Sequence, residues 1–147
     1  MPSNVERFLL FHELHFVLRP TTFDELFTLR SGGRYLPGNI QRSGDRERRR
    51  QTLLALQAKG YSTYDFSNQI IGIETAKLKQ VIDQFGVEHD LGTLYGNLVG
   101  AKEKLRSTFF RFITCCNDWP DDVCYVRLQQ GRFGEHKNRL LSYLKTP

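Results

Sequence analysis

Five of the nine residues from Arg42 to Arg50 are arginines, and the run passes straight into the aliphatic stretch "QTLLALQAKG". Guanidinium is permanently charged and presents a planar fork of donors, so clustered arginines suit phosphate and guanine recognition better than acid–base catalysis. From Arg30 to Arg50 the chain places seven arginines against Asp45 and Glu47 while the remainder is balanced, so this segment carries the whole formal net charge of +5. Such a field draws polyanions, and nucleic acid is the commonest one inside a cell. The candidate nucleic-acid contacts are Arg34, Arg42, Arg46, Arg48, Arg49, Arg50 and Lys59. Tyr35, Tyr61, Tyr64 and Phe66 flank them and are candidates for stacking on bases. The bland alternative is a solvated charge run, partly neutralised by Asp45 or Glu47, with the aromatics in the core.

Other chemistry is thinner. His12 and His15 in "HELH" stand three apart rather than at the i, i+4 spacing of a zinc-protease helix, which favours two histidines at the edge of a core. Cys115, Cys116, Cys124, His89 and His136 are soft ligands by type, but adjacent cysteines on a helix point in different directions. There is no Ser-His-Asp arrangement and no Gly-rich phosphate loop. No catalytic residue, metal or cofactor is assigned, and the chain is not expected to be an enzyme. Three cysteines, an odd set, suit reduced thiols in the cytoplasm. The longest apolar runs are a few residues, such as "FLLF" at 8–11, so neither a membrane span nor a signal peptide is expected.

The elements that must position these residues read as mainly helical. At 147 residues the chain fits one domain, 1–147, with a nucleic-acid-binding half over 5–74 and a helical partner or dimerisation half over 75–147. "VERFLLFHELHFVL" at 5–18 is apolar on more than one face and predicts a helix packed on two sides. Thr21 or Thr22 caps a second helix, "FDELFTLR", and the glycine-rich "SGGRYLPGNIQRSG" predicts a loop or arm. Ser43 or Asp45 caps the arginine helix, which buries Leu53, Leu56 and Leu54 and stops at Gly60. "YSTYDFSNQIIGI" predicts either a short β-hairpin near 61–74 or a short helix and a turn at Gly72. Leu78, Val81, Ile82 and Phe85 mark a helix ending near Gly86, and a longer helix is expected over about 93–117, its apolar face from Leu94 to Cys116 serving as a dimer seam. "VCYVRLQ" is a short strand or helical turn, and "FGEHKNRLLSYLK" a final amphipathic helix.

"TTFDELFTL", the basic segment, "LLALQAKGY" and a hairpin together resemble helix 2, the recognition helix and the wing of winged helix-turn-helix domains. Leu53, Leu56, Gly60 and Tyr61 match that family's Leu-x-x-Leu-x-x-x-Gly-aromatic ending. The resemblance covers about 5–74 and departs from the family in the thirteen or so residues that join the two helices. A rival register resembles a plain helix-turn-helix, "STYDFSNQI" followed by "ETAKLKQVIDQF", but its step from Ser67 to Gly72 is one residue too long, which rotates a helix by about 100°. Pro120-Asp121 with Glu135 to Lys137 is similar to the acidic and lysine signature of PD-(D/E)xK nucleases; the second part sits in a helical pattern, so it is set aside.

The resemblance implies a sequence-specific DNA-binding regulator of transcription or replication, of phage or mobile-element type, with Arg46, Arg48, Arg49 and Arg50 on phosphates and base edges and Arg34 and Arg42 on an arm. Two other classes fit the composition: a small helical subunit of a larger ribonucleoprotein or CRISPR-like effector, and a module that captures an acidic protein surface. The expected partners are nucleic acid, with duplex DNA favoured over RNA, and a second copy or larger protein assembly, with no membrane.

Overall fold

A computed structural model of the chain describes residues 5–40, 45–101, 103–114, 119, 122–129, 131 and 133–144. The fold is mixed α/β rather than mainly or all α: 41% of the structure is helical and 20% strand, the strands lying in three small sheets. Instead of a helix over 5–18 there are two strands, β1 (Arg7–Leu10) and β2 (His15–Val17). Periodicity alone does not separate a strand from a helix in a short apolar run, and Phe and Val lean toward the strand. The chain reverses between them in a tight turn closed by His15 N–H to the His12 carbonyl at 3.0 Å.

The segment expected to form a hairpin near 61–74 contains one strand, β4 (Ile71–Glu74), which pairs antiparallel with β1 so that Phe8 faces Ile73 and Leu10 faces Ile71. Gly72 is no turn residue. The end of helix α1 (Phe23–Phe27) crosses it so closely that a Cβ there would lie 2.6 Å from the Phe27 Cα. Thr22 caps α1 in a capping box with Glu25, as its hydroxyl predicts. The chain then forms β3 (Arg30–Ser31) and a single 3-10 turn, Pro37–Asn39.

Helix α2 (Asp45–Ala58) holds the arginines. Leu53 and Leu56 are fully buried, each contributing about 1.5–3 kcal/mol, whereas Leu54, expected on the same face, is exposed. The helix stops where predicted: Gly60 has φ +87°, its N–H bonds Gln57 O at 2.9 Å, and Tyr61 N–H bonds Leu56 O at 3.1 Å. Helix α3 (Thr75–Phe85) also follows its pattern and ends at Gly86.

The long helix expected over 93–117 is divided. Helix α4 (Leu91–Val99) ends at Gly100, and the chain continues as β5 (Glu103–Lys104) and β6 (Phe110–Ile113); Cys115 to Asn117 lie outside the described residues. Leu94 and Tyr95 pack with Leu56, Phe66 and Ile73 in the largest buried cluster, so the start of the expected seam is core. Strand β7 (Tyr125–Leu128) lies between β2, antiparallel, and β6, parallel, and β3 pairs with β5. These pairings lace residues 5–74 to residues 75–147. Helix α5 (Phe133–Leu144) closes the chain, with Leu140 against Trp119 and Val126.

Candidate anion-binding cleft

The chemistry of the molecule converges on a cleft of about 360 Å³ to which five separated stretches contribute. Arg48 and Arg49 come from α2, Arg127 from β7, His12 from the turn between β1 and β2, Ser67 to Gln69 from the loop before β4, and Asp90 to Gly92 from the start of α4. Leu10, Phe11, Ile71 and Leu91 supply its apolar wall.

His15 holds the β1–β2 turn in place. Its Nδ1 accepts the His12 N–H at 2.8 Å, so the neutral ring carries its proton on Nε2, which donates to the Asn68 carbonyl at 2.7 Å. Burial holds its pKa well below the ordinary value, at about 4; the bond to Asn68 opposes this, and the charges of Arg127 and His12 add to it. With both nitrogens engaged, His15 is a positioning residue. Asn68 sits at φ 63°, a left-handed conformation that asparagine tolerates, and its Oδ1 accepts Arg127 Nη1 at 2.9 Å. One side chain thereby ties β2 to the loop, and the loop orients the arginine of β7.

Thr52 sets the opposite wall. It is fully buried, donates to the Arg48 carbonyl at 2.8 Å and accepts the Asp90 N–H at 2.9 Å, joining α2 to the start of α4. The Asp90 carboxylate is the one acidic side chain among the described residues lining the cleft, and it caps α4 by accepting the Thr93 N–H at 3.1 Å. Leu91 and Gly92 follow that cap, and the first N–H groups of a helix have no acceptor within it. The cleft is therefore rich in donors: three guanidinium groups and a helix N-terminus against one committed carboxylate. No described carboxylate pairs with Arg48 or Arg49, and the enclosed Arg49 Nε has no hydrogen-bond partner among the described residues.

The other arginines of the basic segment are placed differently. Arg30 bonds Glu103 at 3.2 Å and lies 3.9 Å over the Phe109 ring, and Arg50 pairs with Glu47 at 3.2 Å. Arg46 is exposed on the first turn of α2, outside the cleft lining. Arg34 belongs to no free arm: residues 32–35 run antiparallel to 63–65, with Gly32 N–H to Asp65 O at 2.7 Å and Tyr35 N–H to Thr63 O at 3.0 Å. Arg42 lies outside the described residues. Lys59 stands eleven residues beyond Arg48, about 16 Å along the helix, with its Nζ 4.4 Å over the Phe85 ring.

The stacking candidates also disperse. Phe66 is core, Tyr61 packs near Phe85, Tyr64 is exposed with its N–H on Asn97, and Tyr35 is half-buried. None of the three tyrosines lines the cleft; the exposed aromatic that does is Phe11. Pro120 and Asp121 lie outside the described residues, while Glu135 to Lys137 are helical in α5, as their periodicity predicts. Among the described residues no cluster of His, Cys, Asp and Glu is arranged to hold a metal, and no helix is long and apolar enough to cross a membrane.

Arg48 and Arg49 were legible in the sequence, but His12, Asn68, Gly92 and Arg127 as their neighbours were not. The one signal for them was Arg127, a charged residue inside the apolar run 123–128. Comparison with protein-family models, curated proteins and solved structures gives no match for this chain.

Proposed function

We propose that this protein binds nucleic acid through its phosphates, which enter the cleft between α2, α4 and the β1–β2 turn. The observation that carries the reading is the convergence of Arg48, Arg49 and Arg127 on one concave site, with no carboxylate among the described residues paired to the first two. Three like charges brought together repel one another, and an anion relieves that cost while filling the donor sites. Both His15 nitrogens are engaged and Asp90 caps α4, so neither is placed as a general base, which supports binding rather than catalysis. Arginines lining a concave cleft rather than projecting from a helix into a groove favour backbone contact without base reading, so the setting of a subunit in a larger nucleic-acid assembly is favoured over that of a regulator reading duplex sequence. We place it in the reducing cytoplasm, where the buried Cys124 stays a thiol.

Fluorescence anisotropy with duplex DNA, single-stranded DNA and RNA across a salt series tests the proposal. Binding should weaken steeply with salt, and Arg48→Ala with Arg49→Ala should lower the slope by about 0.7–0.9 for each phosphate that is no longer neutralised, while Lys59→Ala leaves it unchanged. Binding and slope unaffected by the double substitution would overturn the proposal.

A further inference from the structure

The ligand of the cleft can be narrowed by its size, its donors and its apolar wall; this rests on the nucleic-acid reading above. The volume of about 360 Å³ lies at the lower end of the roughly 300–1,000 Å³ typical of small-ligand sites, and suits one nucleotide rather than a length of duplex. His12 adds a donor to the guanidinium groups: its Nδ1 accepts the Leu14 N–H at 3.2 Å, so the neutral ring carries its proton on Nε2. A site built of donors favours the ligand with more charge and more acceptor oxygens. A phosphate monoester carries about −1.5 to −2 and three terminal oxygens, against −1 and two for the diester inside a strand. Beside these donors stands Phe11, 49% exposed although it is a phenylalanine, with an edge contact to His15 at 6.3 Å between centroids. An exposed ring next to a phosphate site is placed as a base-stacking platform.

We propose that the cleft takes a single nucleotide bearing a phosphate monoester, as at the end of a strand, with the phosphate held by Arg48, Arg49, Arg127 and His12 and the base stacked on Phe11. Such a site makes the protein a reader of phosphorylated nucleotide ends. Interior phosphates, with one charge fewer, are secondary ligands.

The test uses the full chain and short oligonucleotides labelled at one end, with a 5′-phosphate, a 3′-phosphate or a hydroxyl at the other. One phosphorylated end should bind about tenfold tighter than the hydroxyl end. Adenosine monophosphate should compete and adenosine should not. A mononucleotide that competes as well as the phosphorylated strand identifies the source as free nucleotide, and one that competes poorly identifies it as a strand end; both outcomes support the monoester site. Arg48→Ala, at an exposed position, should remove the preference for the phosphorylated end. Phe11→Ala, also exposed, should weaken adenosine monophosphate and leave competition by inorganic phosphate unchanged. Equal affinity for phosphorylated and hydroxyl ends, lost together in Arg48→Ala, would overturn this inference and leave nucleic-acid binding intact. Absence of binding to every oligonucleotide would overturn both.

Discussion

Replacing His15 with glutamine should make the protein less stable than wild type at pH 7 and more stable at pH 5. In the folded chain the imidazole titrates at about 4 because burial disfavours its charged form, and in the unfolded chain near its ordinary 6.5. A depressed histidine contributes its full stability above pH 6.5, loses it as the pH falls and has lost all of it below about 4, because the unfolded state takes up the proton first. Between pH 7 and pH 5 this proton costs wild type about 2 kcal/mol. Glutamine does not titrate. At pH 7 the variant loses the acceptor for the His12 N–H and should be about 1 kcal/mol less stable. The two stabilities therefore cross between pH 7 and pH 5. Carboxylates titrate alike in both proteins and drop out of the difference. Urea unfolding followed by fluorescence of Trp119, the chain's one tryptophan and 8% exposed, reads both stabilities. A gap between the two that stays constant over this range would refute the buried, neutral His15 and with it the anchoring of the β1–β2 turn to Asn68.

Two further predictions concern the frame behind the cleft. Gly72→Ala drives a methyl into the Phe27 backbone and should cost about 1–3 kcal/mol in urea unfolding, since neither β4 nor the end of α1 can yield cheaply; a change below about 0.5 kcal/mol would mean that the two do not approach as described. Tyr125→Phe removes the hydroxyl that accepts the buried Ile70 N–H at 3.2 Å, and leaving that donor unpaired should cost about 1–3 kcal/mol with little change in the fold by circular dichroism; full stability in the variant would show that the N–H has another acceptor.

Local physics reached the features that depend on neighbours along the chain. The capping box at Thr22 and Glu25, the α2 stop at Gly60, the apolar face of α3 and the clustering of Arg48 and Arg49 each arise within a few residues, and the amino-acid order alone determined them. What lies between Val5 and Leu18 did not. That run satisfies a helix or a strand equally until β4 and β7 present unpaired backbone to it, and those partners stand some sixty to one hundred and ten residues away. The same holds at the other end of the chain, where a periodic pattern from Leu94 to Cys116 gives way at Gly100 because β6 gains a partner in β7. Which arginines face a ligand was also a tertiary decision. Glu103 and Phe109 claim Arg30, Glu47 claims Arg50, and pairing with 63–65 fixes the segment bearing Arg34, while Arg48 and Arg49 share a cleft with Arg127 where Thr52 joins α2 to α4 and Asn68 ties the loop before β4 to β2 and β7. Composition set the sign and strength of the field; the fold decided where in space it is concentrated, since charge is summed along the sequence but acts through distance.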